Sequence, residues 1–214
     1  MLNEDKFSVL VLAPARWGKD TVAEILRDLY GYKFESSSHA ALEHVMYPTL
    51  KEKYGYTSME ECYQDRMTKR AEWKEMITAY NTPDKTRLAR KIIEEDGNDI
   101  YVGMRCIDEL NACIDIKLFD LVVWVDASER KPPESKESIT IEQTDDMYVV
   151  NNNGSLEDLY SEVEDLHYLI VAMKALTELK KSDWQGQAGI QLPKGLDREG
   201  KRNFITNNKQ GEDL

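Results

Sequence analysis

Apolar residues in this chain fall into short runs, separated by longer stretches where they recur every three or four positions. Phe7-Ser-Val-Leu-Val-Leu12 is almost continuously apolar and β-branched, which predicts a strand covered on both faces. Helical spacing takes over across 18–30, and Gly31 stands where a C-cap glycine ends a helix. Tyr32-Lys33-Phe34-Glu35 predicts a short second strand. Ser36, Ser37 or Ser38 then caps a helix over 39–53 that Pro48 kinks or breaks. Thr57-Ser58-Met59-Glu60 opens a longer helix in capping-box style, running to about Tyr80, and 84–96 is another. A third strand at Asp99–Met104 leads into a helix through Ile114, and Phe119–Val125 is the clearest buried strand. Met147–Val150 is a last strand, followed by the turn Asn151-Asn-Asn-Gly154 and a closing helix from Ser155 to about Lys181.

Strands alternating with helices predict an α/β fold: three layers around a mostly parallel five-stranded sheet. On this reading 1–181 is one domain, with a helical insertion over 39–98 between the second and third strands. A polar, lid-like loop covers 127–144. Residues 182–214 are polar and Gly-rich with isolated Trp184, Ile190, Leu192 and Phe204, so they form either a flexible extension or a partner-binding arm.

The densest chemistry lies between the first strand and the first helix, in Ala13-Pro-Ala-Arg-Trp-Gly-Lys-Asp-Thr21. A strand, a small-residue loop and a helix in that order aim loop amides and the positive end of a helix dipole at one point, which suits an anion. Lys19 adds a point charge for terminal phosphates. Against the phosphate-loop pattern G-x-x-x-x-G-K-[ST], Ala13 replaces the first glycine and Asp20 the final hydroxyl residue. Asp20 and Thr21 are hard oxygen donors for Mg²⁺. The loop therefore predicts ATP binding through Ala13, Ala15, Arg16, Trp17, Gly18, Lys19, Asp20 and Thr21.

Composition narrows the partners. The formal net charge of −12 argues against nucleic acid and against anionic membrane, while 66–91 holds eight basic against three acidic residues. That local excess of +5 predicts a pocket for a small phosphorylated substrate. No apolar run approaches a membrane span, and Met-Leu-Asn-Glu-Asp lacks a signal pattern. Cys62, Cys106 and Cys113 form no C-x-x-C, which suits a reducing cytoplasm. His39, His44 and His167 have no metal-ligand spacing and read as structural. Nothing fixes the oligomeric state, and a homodimer stays open.

Phosphoryl transfer needs cations that hold both phosphates in line. On a continuous 57–80 helix, Arg66, Lys69 or Arg70, and Trp73 would share a face able to grip a phosphate and stack a base. Arg105 follows the third strand at the sheet edge where such folds bind ligands, and Arg130 starts the lid-like loop.

Four pieces in order carry a resemblance: Gly18-Lys19-Asp20-Thr21, the short strand ending in Arg105, Ser138-Ile139-Thr140, and Val149-Val-Asn-Asn-Asn-Gly-Ser-Leu-Glu-Asp-Leu159. Together, over roughly 7–170, they resemble the nucleoside monophosphate kinases, most closely those of bacteriophages acting on deoxynucleotides. The acidic residue that the family carries before its strand-three arginine is missing from Val102-Gly103-Met104, which would leave more of the Mg²⁺ work to Asp20 and Asp126. The resemblance implies a P-loop NTPase fold, ATP and Mg²⁺ as cofactors, and a cytoplasmic site of action (the host's, for a phage-encoded chain). It implies that Lys19, Arg105 and Arg130 act in catalysis and that the turn at Asn153 and Gly154 meets the adenine. Ser37, Arg66, Lys69, Arg70, Trp73 and Arg105 would hold the deoxynucleoside monophosphate. Two other readings compete: a kinase acting on a nucleic-acid end or modified base, and a nucleotide-binding module without turnover.

Overall fold

The structure, a computed structural model, describes residues 6–182, with side chains in the last helix described through 179. Strands β1 (Val9–Leu12), β2 (Phe34–Ser36), β3 (Ile100–Val102), β4 (Leu121–Asp126) and β5 (Tyr148–Asn151) form one sheet in the order β2-β3-β1-β4-β5. Every pairing is parallel, with Val9 opposite both Ile100 and Leu121, and Val11 opposite Val102 and Val123. All four residues of β1 are buried, as a central strand covered on both faces requires. The expected α/β fold is present, and its sheet is wholly rather than mostly parallel.

Helix α1 (Lys19–Tyr30) returns from the end of β1 and packs on the sheet through a buried stripe of Val22, Ala23, Ile25 and Leu26. Fully burying one such leucine contributes about 2 kcal/mol. Gly31 ends the helix at φ 76°, in the left-handed region, its N–H donating to the Arg27 carbonyl and the Tyr32 N–H to the Leu26 carbonyl. The loop joining β1 to α1 thus lies at the carboxyl end of the central strand.

The insertion is helical but more broken than its sequence implies. It comprises α2 (Ser37–Ala41), a π-helical turn (Leu42–Met46), α3 (Tyr47–Tyr54), α4 (Met59–Gln64), a 3₁₀ turn (Asp65–Met67), α5 (Arg70–Tyr80), α6 (Arg87–Arg90) and a second π turn (Lys91–Glu95). Ser36 is the cap of α2, its Oγ accepting from the His39 N–H at 3.2 Å. Pro48 lies in the first turn of α3, where a missing N–H costs no hydrogen bond, so the interruption falls before it rather than at it.

The expected continuous helix over 57–80 does not form. Thr68 Oγ1 donates to the Asp65 carbonyl at 3.0 Å and to the Asp65 carboxylate, and such local side-chain bonds compete with the helical ladder. The chain restarts at Arg70, so Arg66, Lys69, Arg70 and Trp73 lose the common face that unbroken spacing implied.

Helix α7 (Ile107–Asp115) follows β3, and α8 (Leu156–Ser182) follows β5. Two compact units are distinguished. Met1–Val163 contains the sheet, the insertion and the 127–144 loop. The described part of Glu164–Leu214 is the remainder of α8, where Leu166 and Ile170 are buried. The expected tail beyond Ser182 lies outside the described residues. No described helix is long and apolar enough to cross a membrane.

Candidate active site

The loop after β1 is shaped by two left-handed residues, Arg16 at φ 66° and Gly18 at φ 95°. At Gly18 the conformation and the space both demand glycine, because a Cβ there would lie 2.2 Å from Asn152 Nδ2. Asn152 is buried and donates that amide to the Trp17 carbonyl at 2.8 Å. Its own N–H is bonded to the Asp126 carbonyl at 2.6 Å. The turn after β5 therefore clamps the loop after β1. The sequence marked Asn153 and Gly154 in this turn, but gave no sign of Asn152, which touches the loop directly.

Lys19 opens α1, and its ammonium sits 2.7 Å from Asp20 Oδ2 with the side chain 13% exposed. The aliphatic stem runs beside Gly103, where a Cβ would come within 3.3 Å of both Lys19 Cε and Ser37 Oγ. Gly103 has φ 92°, and Ser37 Oγ donates to its carbonyl at 3.0 Å. Gly103 thus leaves room for the Lys19 stem. Ser37 joins the same end of the sheet.

The 127–144 segment crosses this end as a strap. After β4 the Arg130 and Lys131 N–H groups both donate to the Ala127 carbonyl, forming a turn. At the far side Thr140 Oγ1 accepts from the Ile107 N–H at 2.9 Å, Thr140 N–H donates to the Arg105 carbonyl at 2.9 Å, and Ile139 and Ile141 are buried. In between, the Pro132 carbonyl accepts from Trp17 Nε1 at 3.3 Å, and the Glu137 carbonyl from Lys74 Nζ at 2.7 Å.

Glu134 is the centre of the strap. Its Oε2 accepts the Ala15 N–H at 2.5 Å and Arg105 Nη1 at 2.8 Å, while Oε1 accepts Arg70 Nη2 at 2.6 Å. Burial pushes the carboxyl pKa up, but the Arg70 hydrogen bond, the Ala15 amide and Arg105 outweigh it and leave the group below its ordinary range. A loop amide and two guanidinium groups, brought from three distant parts of the chain, converge on one carboxylate.

The other expected residues are distributed less tightly. Arg66 lies over the Tyr63 ring at 4.0 Å and donates to the Tyr63 carbonyl at 3.0 Å. Lys69 faces the Tyr54 ring at 4.4 Å, with Asp65 at 4.0 Å. Trp73 is buried with its ring 6.2 Å from that of Tyr63, a packing role rather than a stacking platform for a base. Neither Arg66 nor Lys69 joins Arg70 and Arg105 at Glu134, because the chain breaks at Thr68. Arg130 is exposed on the turn after β4.

The basic stretch 66–91 does not form one pocket either. Arg87 lies over the Tyr80 ring at 4.0 Å, Arg90 pairs with Glu94 and Asp84, and Lys91 pairs with Asp96 and Glu95. These pairs neutralise its second half locally.

For Mg²⁺, the donors at the start of α1 suit the ion: the Asp20 carboxylate is more than half exposed, and the Thr21 hydroxyl is next to it in sequence. Asp126 is committed elsewhere. Its Oδ1 accepts from the Ser128 N–H at 3.1 Å and its Oδ2 from Asn153 Nδ2 at 2.9 Å. Asn153 in turn accepts the Glu129 N–H at 2.9 Å, so the Asp126–Asn153 pair locks the turns after β4 and β5 together.

No family model and no curated protein matches this chain. Among solved structures, a gluconokinase from Sinorhizobium meliloti 1021 is similar over 84% of this chain and 98% of its own, at 14% sequence identity and a TM-score of 0.41. The likeness is too distant to bear on chemistry.

Proposed function

We propose that this protein transfers a phosphoryl group from ATP to a deoxynucleoside 5′-monophosphate, giving the diphosphate. One observation carries the reading: the Ala15 amide of the β1–α1 loop and the guanidinium groups of Arg70 and Arg105 face a common point at the carboxyl end of the sheet. Anions are what such a set of donors recognises, and two arginines suit a dianionic phosphate monoester better than a neutral hydroxyl. Lys19 and the first-turn amides of α1, which have no intrahelical acceptor, supply the site for the terminal phosphates of ATP. Asp20 and Thr21 would hold Mg²⁺, whose chemistry is to neutralise charge on the transferring phosphoryl group.

The remaining work falls to the chain itself. Arg70 and Arg105 hold the acceptor phosphate beside the loop, and Lys19 offsets negative charge as the donor bond lengthens. Once both nucleotides are in place, the strap over 127–144 would close over them and keep water from the reacting groups, so that the acceptor oxygen rather than solvent attacks. Arg130, exposed on the same segment, is the mobile cation that would close over the phosphates.

Coupled ADP release, measured with each common dNMP and NMP and with a 5′-hydroxyl oligonucleotide, tests the assignment. Turnover with one or more dNMPs is expected. Turnover with the oligonucleotide alone would transfer the assignment to nucleic-acid ends, and ATP binding without turnover on any acceptor would make the protein a nucleotide-responsive module.

A further inference from the structure

Glu134 is an anion that the chain itself delivers to the point where an anion is wanted. Its side chain is 13% exposed, yet it belongs to a polar loop otherwise open to solvent between Lys131 and Ser138. Among the described residues its polar contacts are the two arginines just assigned to the acceptor phosphate, Arg70 and Arg105, and the Ala15 N–H of the adjoining loop. The carboxylate bridges the two arginines from separate oxygens and takes a loop amide as well, an arrangement that phosphate oxygens also satisfy. One carboxylate brings a single negative charge to two guanidinium groups, whereas a phosphate monoester dianion balances both.

We propose that Glu134 is a built-in competitor: its carboxylate occupies the acceptor-phosphate subsite formed by Ala15, Arg70 and Arg105, and a phosphate ligand enters by displacing it. Displacement unseats the middle of the strap, whose other holds are the Trp17–Pro132 and Lys74–Glu137 hydrogen bonds. Entry of the acceptor is thereby coupled to opening of the segment that covers the loop. The proposal concerns the same site as the phosphotransferase reading and rests on it only for the identity of the anion. Its test therefore uses binding and requires no turnover.

Inorganic phosphate is titrated calorimetrically into the wild-type protein and into Glu134→Gln, with near-ultraviolet circular dichroism to verify the fold. A site that Glu134 fills nine-tenths of the time has its apparent affinity lowered about ten-fold. Glu134→Gln is accordingly expected to bind phosphate about ten-fold more tightly than wild type. Adding Arg105→Gln to that variant should abolish the gain. In the wild type, phosphate should speed amide hydrogen exchange across 131–137.

Glu134→Asp serves if the first variant fails to fold: it keeps the charge but is one methylene too short to span both arginines, and it too should bind phosphate more tightly. Unchanged or weaker phosphate binding in a folded Glu134 variant, or slowed exchange in the strap, would overturn the proposal and make Glu134 a permanent part of the site. A gain in phosphate binding without turnover on any nucleotide would leave the competitor standing and remove the kinase. Turnover without the gain would do the reverse.

Discussion

Replacing Gly18 by alanine should damage the site through two separable effects, and their sizes follow from the geometry of the loop. The first is conformational: Gly18 has φ 95°, and forcing an L-residue into left-handed backbone costs about 1–2 kcal/mol. The second is steric, since the new Cβ would lie 2.2 Å from Asn152 Nδ2 and that amide must move. Moving it strands the Trp17 carbonyl and a buried amide, at a further cost of about 1–3 kcal/mol. The sum is about 2–5 kcal/mol, which for a domain of this size lowers Tm by about 4–20 °C. Asn152→Ala alone should lose only the hydrogen bond, about 1–3 kcal/mol. In that background Gly18→Ala meets open space and should cost only its backbone strain. The two losses are thus sub-additive by about 1–3 kcal/mol in a double-mutant cycle read by thermal melting. A Gly18→Ala protein melting within about 2 °C of wild type, or losses that add in full, would refute the clamp between the β5 turn and the loop.

Other expectations follow from single contacts. Arg105→Gln should lower kcat/KM for the acceptor by about 100-fold, the usual size of losing one charged donor at a reacting centre, while leaving the Kd for ATP within about two-fold; steady-state kinetics over acceptor concentration decides it. Asn81 donates Nδ2 to Glu109 at 2.9 Å and accepts the Leu88 N–H at 3.1 Å, so Asn81→Ala leaves one part-buried and one buried group unpaired and should cost about 3 kcal/mol in denaturant melts. Glu134, held below the ordinary glutamate value of 4.5, stabilises the folded strap fully above that pH and loses its contribution as pH falls through the lower, folded value. Acid titration followed by Trp17 fluorescence should accordingly show a transition below pH 4.5 that Glu134→Gln abolishes.

Much of this was legible in the sequence because it is encoded locally. The run Val9–Leu12 announces a central strand by lacking polar alternation, Gly31 announces the end of α1, and Arg105 falls at a strand end. What the sequence hid depends on partners far along the chain. Glu134 is one acid among prolines and serines, and its meaning lies in residues 119, 64 and 29 positions away. Asn152 is indistinguishable from its neighbours Asn151 and Asn153 until the β5 turn is seen against Trp17, 135 positions distant. The expected face of Arg66, Lys69, Arg70 and Trp73 failed for the opposite reason: a local bond between Thr68 and Asp65 overrode good helical spacing. Ion pairs four or five residues apart, such as Arg90–Glu94 and Lys91–Asp96, likewise dissolved a basic run that counting alone treated as a pocket.

The central claim, a loop that captures the phosphates of ATP with Lys19 as its cation, is tested most directly by calorimetric titration of Mg·ATP into wild-type protein and Lys19→Ala. Measurable affinity in the wild type and at least about a ten-fold loss in a folded Lys19→Ala protein is the predicted result. Absence of heat in the wild type, or equal affinity in both, would contradict it.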